Sequence, residues 1–351
     1  MFDIILAFIT AFSLTFLAIP SIIRIARKKN LVDVPDPRRA HKTITPSLGG
    51  IAIFAGMIFS IILWTPFYVF KDLQYILCAF IIIFLIGAKD DIDPISPSKK
   101  FLGQLFAALI VVSKANIKLT SMYGIFGIYD LSNPVSIVLS VFTIIVIINA
   151  FNLIDGINGL SAGIGILISI TVGYWFFLID RIDLAIIAFA LAGSTIAFLK
   201  YNVTPAKIFM GDTGSLLLGM VCSILTIQFI ESHRVLVDHP YAFKSAPSVA
   251  VGILILPLFD TLRVFILRIS NGKSPFHPDR NHIHHVLIDT GLSHMQATSL
   301  LILINFLFIV LVIRFHKIGS LNLLMLIGII AIALSLILSY FYKKRKIPSQ
   351  S

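Results

Sequence analysis

Three carboxylates stand within four residues of one another, directly after a long apolar stretch: Asp90, Asp91 and Asp93. Carboxylates this close repel one another unless a cation or a proton relieves the repulsion. A divalent metal ion or a cationic group of a substrate would relieve it. The alternative is a solvated acidic loop, which is the usual explanation of such a run in a soluble protein. In a membrane protein the same run indicates a site.

A second group combines amides with a carboxylate. Asn149, Asn152 and Asp155 are spaced three residues apart, so on a helix they share one face. Their oxygens and amide groups suit Mg²⁺, its water ligands, or a ligand that has both donors and acceptors. Gly156 then ends the helix and lets the backbone approach a ligand, with Asn158 close behind. A helix stop alone explains the glycine but hardly the whole stripe.

A lone aspartate, Asp212, lies between Gly211 and Gly214 at the start of another apolar stretch. It could simply cap the helix that follows. A helix N-terminus surrounded by glycines also favours phosphate, and a metal ion bound to Asp212 would supply the counter-charge. Both interpretations stay open at this point.

Four histidines fall within nine residues, beside an arginine: His277, Arg280, His282, His284 and His285. Together they form a cationic patch suited to phosphate. Zinc is the rival ligand, since imidazoles bind it well. A closed zinc site is disfavoured, because no Cys or Glu is nearby and the last three histidines alternate in direction.

A softer signal is the basic loop that follows the first apolar stretch. Basic residues before a membrane span mostly set topology or contact lipid headgroups. Lys42 is the residue of this loop that we expect at a site.

The chain that carries these groups has the composition of a membrane protein. It is 58% hydrophobic and 13% charged, against about 25% charged in soluble domains. Sixteen Asp and one Glu, Glu231, leave almost no Glu/Lys-patterned helices that could face solvent. The net charge of +11 therefore raises the question of membrane topology rather than of nucleic acid, and no nucleic-acid partner is expected.

Eleven apolar stretches are candidates for membrane spans, since a helix needs about 20 residues to cross the bilayer. The prediction is an all-α polytopic membrane protein of about 11 transmembrane helices, forming a single integral membrane domain over residues 1–351. The third and fourth stretches are short, and a re-entrant pair there would keep the topology. The stretches cover approximately residues 2–23, 48–67, 73–88, 101–117, 134–152, 159–179, 183–199, 214–230, 247–267, 297–313 and 321–341.

Lys and Arg are divided unequally between the two faces of this arrangement, with 19 on one face and 8 on the other. The excess places the richer face in the cytoplasm, the N-terminus outside and the C-terminus inside. All four polar clusters fall on the cytoplasmic face, although the charge count did not use them. The cytoplasmic segments are residues 24–47, 89–100, 153–158, 200–213 and 268–296, with the basic tail 342–351.

Carboxylates for a metal ion, amides, glycines and a basic patch on one membrane face are the groups that phosphoryl transfer requires. The sequence has no G-x-x-x-x-G-K-[ST] loop, so ATP is not indicated. A site at the level of the lipid headgroups indicates that one substrate is a lipid phosphate.

The motifs resemble those of the polyprenyl-phosphate N-acetylhexosamine-1-phosphate transferases, glycosyltransferase family 4. This superfamily includes the MurNAc-pentapeptide transferase and the eukaryotic GlcNAc-1-phosphate transferase. Over residues 35 to 290, approximately, the chain looks most like the bacterial undecaprenyl-phosphate GlcNAc-1-phosphate transferases. The order of four motifs carries the resemblance: Asp90-Asp91-x-Asp93, Asn149-x-x-Asn152-x-x-Asp155-Gly156, Gly211-Asp212-x-Gly214-Ser215 and Asp279-Arg280-x-His282-x-His284-His285.

The resemblance implies that UDP-GlcNAc and undecaprenyl phosphate react to undecaprenyl-diphosphate-GlcNAc and UMP. The protein is then a multi-pass enzyme of the bacterial cytoplasmic membrane, surrounded by membrane lipid, with its site on the cytoplasmic face. Mg²⁺, or Mn²⁺, would be held by Asp212 and Asn152. The expected catalytic residues are Asp90, Asp91 and Asp212. The expected substrate-binding residues are Lys42, Asp93, Lys100, Asn149, Asp155, Asn158, Arg280, His282, His284 and His285.

Several points stay open under this resemblance. The donor could carry another N-acetylated sugar or be UDP-MurNAc-pentapeptide, and the polymer begun could be O-antigen, common antigen or a teichoic acid linkage unit. A homodimer is one option for the assembly. Direct in-line attack by the lipid phosphate is favoured, because a phosphate monoester with a second pKa of about 6 is mostly a dianion at neutral pH. A covalent aspartyl-phosphate is the runner-up.

A hypothesis from another class is a cation-coupled transporter that uses intramembrane carboxylates such as Asp260. Asp260 and Arg263 are spaced to pair on one helix face, which gives the carboxylate a structural partner. Transporters also tend to have broken helices in symmetric halves, and none is evident in the sequence.

Overall fold

A computed structural model describes residues 1–31, 45–67, 70–236, 238–274 and 281–346. Most of this part of the chain is helical. The helices are α1 (Phe2–Lys28), α2 (Gly49–Trp64), α3 (Phe70–Ile92), α4 (Pro97–Ser113), α5 (Asn133–Ile154), α6 (Leu160–Leu178), α7 (Ile182–Asn202), α8 (Gly211–Ser232), α9 (Ala246–Ile253), α10 (Ile255–Ser270), α11 (Ile283–Asp289), α12 (His294–Phe315) and α13 (Ser320–Lys346).

Helix ends follow local sequence rules. In both α4 and α5 a proline occupies the first turn, where its missing N–H is not needed and its fixed φ suits the helix. Helix α12 begins with a capping box, in which Ser293 and Gln296 each bind the other's backbone N–H. Basic Arg27 and Lys28 in the last turn of α1 complement the helix dipole.

Each of the eleven predicted stretches coincides with helix in the structure. In the part of the chain that the structure describes, seven helices are long and apolar enough to cross a membrane, and the bent pair α9–α10 would make an eighth span. The structure therefore confirms a polytopic helical membrane protein. The number of eleven crossings and the orientation of the chain stay predictions.

The ninth stretch, residues 247–267, was expected to be one span, and the structure divides it between two helices. Helices α9 and α10 meet at an angle of 79°. Pro257 cannot donate to the carbonyl of Ile253, so the helix has no continuous hydrogen bonding there. Asn305 of α12 takes the place of the missing partners: it donates to the Ile253 carbonyl at 3.0 Å and accepts from the N–H of Leu256 at 3.2 Å.

A small antiparallel hairpin joins α4 to α5 in this otherwise helical arrangement. Its strands are β1 (Ser121–Ile125) and β2 (Ile128–Asp130). Gly127 in the connecting turn has a φ of +77°, which favours glycine. Glu231, the single Glu of the chain, anchors the hairpin by accepting from the N–H of Thr120 at 2.8 Å and from its hydroxyl at 2.5 Å.

Helix α8 lies at the centre of the bundle and is buried on all sides. It packs against α2, α3, α5 and α6. A helix that is apolar all round belongs in the interior, and the small residues of its first turn allow close neighbours. A Cβ on Gly50 of α2 would lie 2.1 Å from the backbone nitrogen of Gly214, and one on Gly87 of α3 would lie 2.5 Å from Cα of Thr213. These contacts bring α2 and α3 onto the start of α8.

Candidate active site

Asp91 of α3 caps the central helix. Its carboxylate accepts from the backbone N–H groups of Asp212 at 2.7 Å and Thr213 at 2.9 Å, and from the Thr213 hydroxyl at 2.5 Å. A carboxylate at a helix N-terminus satisfies free N–H groups and interacts well with the helix dipole. Gly211, with a φ of +71°, makes room for it, since a Cβ there would lie 2.5 Å from the carboxylate.

Because Asp91 caps α8, Asp212 is not needed as a cap. Helix α8 begins at Gly211, and the residue before it, Met210, makes no side-chain cap. The Asp212 carboxylate instead faces other side chains: its Oδ1 accepts from Nδ2 of Asn152 at 2.9 Å, and its Oδ2 pairs with Nζ of Lys100. The capping interpretation of Asp212 is therefore not what the structure shows. A cap is supplied by Asp91 of another helix.

Lys100 of α4 joins two carboxylates. Its Nζ lies 3.2 Å from Oδ2 of Asp90 and also contacts Asp212. Asp90 is held in turn by the N–H of Ile95, which donates to its Oδ1 at 2.8 Å. The side chains of all three charged residues are half-buried, with exposures of 17%, 17% and 26% for Lys100, Asp90 and Asp212. Their partial exposure leaves these side chains accessible to a ligand, while the ion pairs and the hydrogen bond from Ile95 hold them in place.

We call Asp90, Asp91, Lys100, Asn152 and Asp212 the carboxylate cluster. Residues from α3, α4, α5 and α8 meet here; Asp90 and Asp212 share the ammonium group of Lys100, and Asp91 is bound beside them to the start of α8. The excess of negative charge in a half-buried setting attracts a further cation. The carboxylates of the cluster are therefore suited to bind a cation, and Lys100 is suited to bind phosphate oxygens.

Asn149 and a residue that sequence reasoning missed extend the cluster along α5. Nδ2 of Asn149 donates to Oε1 of Gln104 at 2.8 Å and to the carbonyl of Ile145 at 2.8 Å. Gln104 is buried in α4, one helical turn after Lys100. This spacing was the available signal: a polar residue in an apolar stretch, on the same face as a charged one. Gln104 holds Asn149 in place beside the cluster.

Asp155 follows α5, next to the carboxylate cluster. Desolvation raises the pKa of its carboxyl to about 8; a hydrogen bond from the Ser161 side chain lowers this pKa, and the charge of Asp91 raises it. Asn158, further along, donates to Oγ1 of Thr204 at 2.9 Å, and its carbonyl accepts from Thr298 at 2.8 Å. These bonds give Asn158 a structural role in joining three segments.

The histidine segment lies against the same loop. A Cβ on Gly156 would be 2.2 Å from Nε2 of His284, so the loop after Asp155 and His284 are in direct contact. The rings of His282 and His284 are stacked with centroids 5.7 Å apart, and those of His284 and His285 are 4.3 Å apart. The structure brings the predicted histidines to the Asp155 end of the site.

Asp93 is not brought together with the other predicted residues. It pairs with Lys89, four residues earlier in the chain, and the Asp93 side chain is 70% exposed. The hydrogen bond from Lys89 holds the pKa of Asp93 below its usual range. The predictions for Lys42 and Arg280 fall outside the described residues.

Metal binding rests on few side chains. Within the described ranges no three His, Cys, Asp or Glu side chains are grouped to hold a metal ion. Mg²⁺ does not require such a group, because it commonly takes one or two carboxylates and completes its shell with water and substrate phosphates. Asp212 and Asp90, on either side of the Lys100 ammonium group, offer oxygens of that kind. The donor set fits a magnesium ion that is completed by substrate.

Three bacterial proteins are similar to most of the chain. A Bacillus subtilis (strain 168) protein named "Probable undecaprenyl-phosphate N-acetylglucosaminyl 1-phosphate transferase" is 34% identical over 88% of this chain and 84% of its own length. Proteins of Escherichia coli (strain K12) and Yersinia pestis are both named "Undecaprenyl-phosphate alpha-N-acetylglucosaminyl 1-phosphate transferase". They are 31% and 30% identical, over 80% and 85% of this chain and 75% and 80% of their own lengths.

The sequence model of glycosyl transferase family 4 matches residues 73–230. This range extends from α3 to α8 and includes every residue of the carboxylate cluster. A helical membrane protein with such a cluster belongs to the class of membrane-embedded transferases. The chain is a member of glycosyl transferase family 4 and is a phosphoglycosyl transferase.

Proposed function

We propose that the protein transfers GlcNAc-1-phosphate from UDP-GlcNAc to undecaprenyl phosphate. The products are undecaprenyl-diphosphate-GlcNAc and UMP, and the reaction is the first membrane step in the synthesis of a cell-envelope polysaccharide. The observation that carries the proposal is the junction of Asp90, Lys100, Asn152 and Asp212 in one half-buried cluster. The names of the three relatives support the choice of substrates.

Two anionic substrates must meet at this cluster, and its residues have different roles in binding them. Lys100 binds phosphate oxygens and offsets their charge. Asp212 and Asn152 would hold Mg²⁺, or Mn²⁺, which would supply positive charge to offset the charge on the pyrophosphate. Asn152 is kept in place by Ser215, whose Oγ accepts from its Nδ2 at 2.9 Å. The ligands therefore have supporting partners on α8 itself.

The nucleophile is the lipid phosphate, and it attacks the sugar-bearing phosphorus of UDP-GlcNAc in line with the departing UMP. A phosphate monoester is mostly a dianion at neutral pH, so no strong base is required. Asp90 orients the attacking group through Lys100 and accepts any residual proton. Asp91 is unsuited to a covalent intermediate, because three hydrogen bonds already occupy its carboxylate. This leaves Asp90 as the nucleophile of the covalent alternative.

The site is proposed to open on the cytoplasmic face, where UDP-sugars are made and where the charge distribution places these loops. The carboxylate cluster lies at the N-terminal end of α8, and the β1–β2 hairpin lies at its C-terminal end, next to Glu231. The cluster and the hairpin therefore lie at opposite ends of one buried helix, and we expect them on opposite faces of the membrane.

The test uses purified protein in lipid nanodiscs with UDP-GlcNAc, undecaprenyl phosphate and Mg²⁺. We expect UMP to be released only when both substrates are present, and UDP-GlcNAc to have the highest kcat/KM in a panel of UDP-sugars. No UMP release with any UDP-sugar of the panel would overturn the proposed reaction. A preference for UDP-MurNAc-pentapeptide would overturn the GlcNAc assignment alone.

A further inference from the structure

The buried carboxylate of Asp260, in α10, binds the histidine segment. Its Oδ2 lies 3.0 Å from Nδ1 of His282, and its Oδ1 accepts from the N–H of Ile283 at 3.0 Å. The side chains of Asp260 and His282 are 2% and 6% exposed. One carboxylate therefore fixes both the ring of His282 and the first residue of α11.

The geometry determines where the His282 proton is. An ionised carboxylate only accepts hydrogen bonds, so the 3.0 Å contact requires a proton on Nδ1 of His282. Its Nε2 is then left for another partner. A carboxylate on one side of a histidine ring sets the tautomer and the ring orientation in this way at many catalytic and metal sites.

Arg263 keeps this carboxylate in place. Its Nη1 lies 3.4 Å from Oδ1 of Asp260 and donates to the carbonyl of Asn281 at 2.7 Å, and its Nε donates to Ser335 at 3.0 Å. The sequence predicted the pair between Asp260 and Arg263, and the structure confirms it. The pair is part of a larger network that holds the chain on both sides of His282.

The network leads to the carboxylate cluster through stacked rings. His282 stacks on His284, and His284 contacts Gly156, which directly follows Asp155. A change in the orientation of His282 therefore reaches the loop at the end of α5.

We propose that Asp260 is a positioning residue for the transfer reaction. It holds the Nδ1 proton of His282 and turns Nε2 of that ring toward a phosphate-bearing substrate. The proposal rests on the proposed function, because it assumes that the histidine segment binds substrate.

The first test is a double-mutant cycle with Asp260→Asn, His282→Gln and the double variant, measured as kcat/KM for UMP release. An Asn at 260 keeps the size of the side chain, but its amide group can donate to Nδ1 and so favour the other tautomer. We expect a loss of about 10- to 100-fold in Asp260→Asn and a change of no more than about twofold when His282→Gln is already present. Additive losses would overturn the proposal.

Asp183→Asn is the matched control. Asp183 is also an aspartate paired with an arginine, at 2.9 Å from Arg181, but it lies at the start of α7, which packs against α1, α2, α6 and α8. We expect this variant to keep wild-type kcat/KM. A loss in Asp183→Asn as large as that in Asp260→Asn would show that breaking any such pair has the same effect, and would count against positioning.

The second test does not depend on substrate. With ¹⁵N-labelled histidine, the NMR signal of His282, assigned by its absence in His282→Gln, should show a protonated Nδ1 in the wild-type protein. An unprotonated Nδ1 would overturn the proposal even if Asp260→Asn failed to fold. A wild-type protein that releases no UMP but shows this proton would instead refute the proposed function and leave the Asp260–His282 pair intact.

Discussion

Asp212 is the residue where metal binding and helix capping make different predictions. In Asp212→Asn the size of the side chain is kept and the negative charge is lost. Because Asp91, not Asp212, caps α8, we expect folding to be preserved. Activity should fall by about 10²-fold or more, since charge neutralisation at the pyrophosphate is weakened. UMP release as a function of Mg²⁺ concentration measures this.

The control for Asp212→Asn is Asp130→Asn, in the hairpin at the other end of α8. Asp130 is paired with Arg234 at 2.8 Å and its side chain is 77% exposed. This variant should retain wild-type turnover. Well-folded Asp212→Asn with near-wild-type turnover at ordinary Mg²⁺ would place the metal elsewhere.

Asp91 is expected to contribute mainly to the stability of the fold. Replacing it with Ala removes three hydrogen bonds at the start of α8 and leaves two backbone N–H groups without their partner. We expect the free energy of unfolding to fall by about 2 kcal/mol, measured by thermal unfolding in detergent. Asp93→Ala, two residues further on and exposed, should unfold like the wild type. Equal stability of the two variants would contradict the capping role.

At the scale of elements, the site depends on how closely α2 and α3 approach α8. Gly50→Ala would place a Cβ 2.1 Å from the backbone of Gly214, so one of the two helices must move. We expect a loss of about 1 to 3 kcal/mol in stability, together with reduced turnover, because the start of α8 carries Asp212. Thermal unfolding and UMP release measure both effects.

Gly328→Ala in α13 is the matched control for Gly50→Ala. A Cβ at Gly328 has no neighbour within 4 Å, and alanine is the better helix former by about 1 kcal/mol. This variant should be as stable as the wild type or slightly more so. A Gly50→Ala protein with unchanged stability and turnover would show that the close approach of α2 is not required.

The sequence predicted the grouping of Asp90, Asp91, Asn152 and Asp212, because the charge count placed all of them on one face. It could not predict which partner each carboxylate has. Asp90 and Asp91 are adjacent, yet a turn of about 100° between successive helical residues directs one to Lys100 and the other to the start of α8. The packing of α3 against α8 determines which partner each of the two carboxylates has.

Two elements were missed for a related reason. The length of the apolar stretch predicted one ninth span but not its bend, which Pro257 and the distant Asn305 together produce between α9 and α10. The hairpin at 121–130 is too short to stand alone, and Glu231 and Arg234 from another element hold it. In both cases the decisive partner is more than forty residues away in the chain.

For the whole molecule, the central prediction is orientation. Single cysteines in a background without Cys78 and Cys222 can be labelled from either side of sealed vesicles. Ser98→Cys and Asn271→Cys, both exposed and both in segments predicted to be cytoplasmic, should react only from the cytoplasmic side. Val235→Cys and Phe126→Cys, at the opposite end of the bundle, should react only from outside. The native side chains at these two positions are 82% and 77% exposed. The reverse pattern would contradict the charge-based topology.

The claim that the carboxylate cluster transfers a sugar phosphate, rather than a sugar, is tested most directly by following one phosphorus atom. UDP-GlcNAc labelled at the sugar-bearing phosphorus is incubated with the protein, undecaprenyl phosphate and Mg²⁺, and the lipid and aqueous products are separated. In-line attack at that phosphorus predicts that the label moves into undecaprenyl-diphosphate-GlcNAc and that unlabelled UMP is released in equal amount. Label that remains in the aqueous phase as UDP, with GlcNAc on the lipid, would contradict the account.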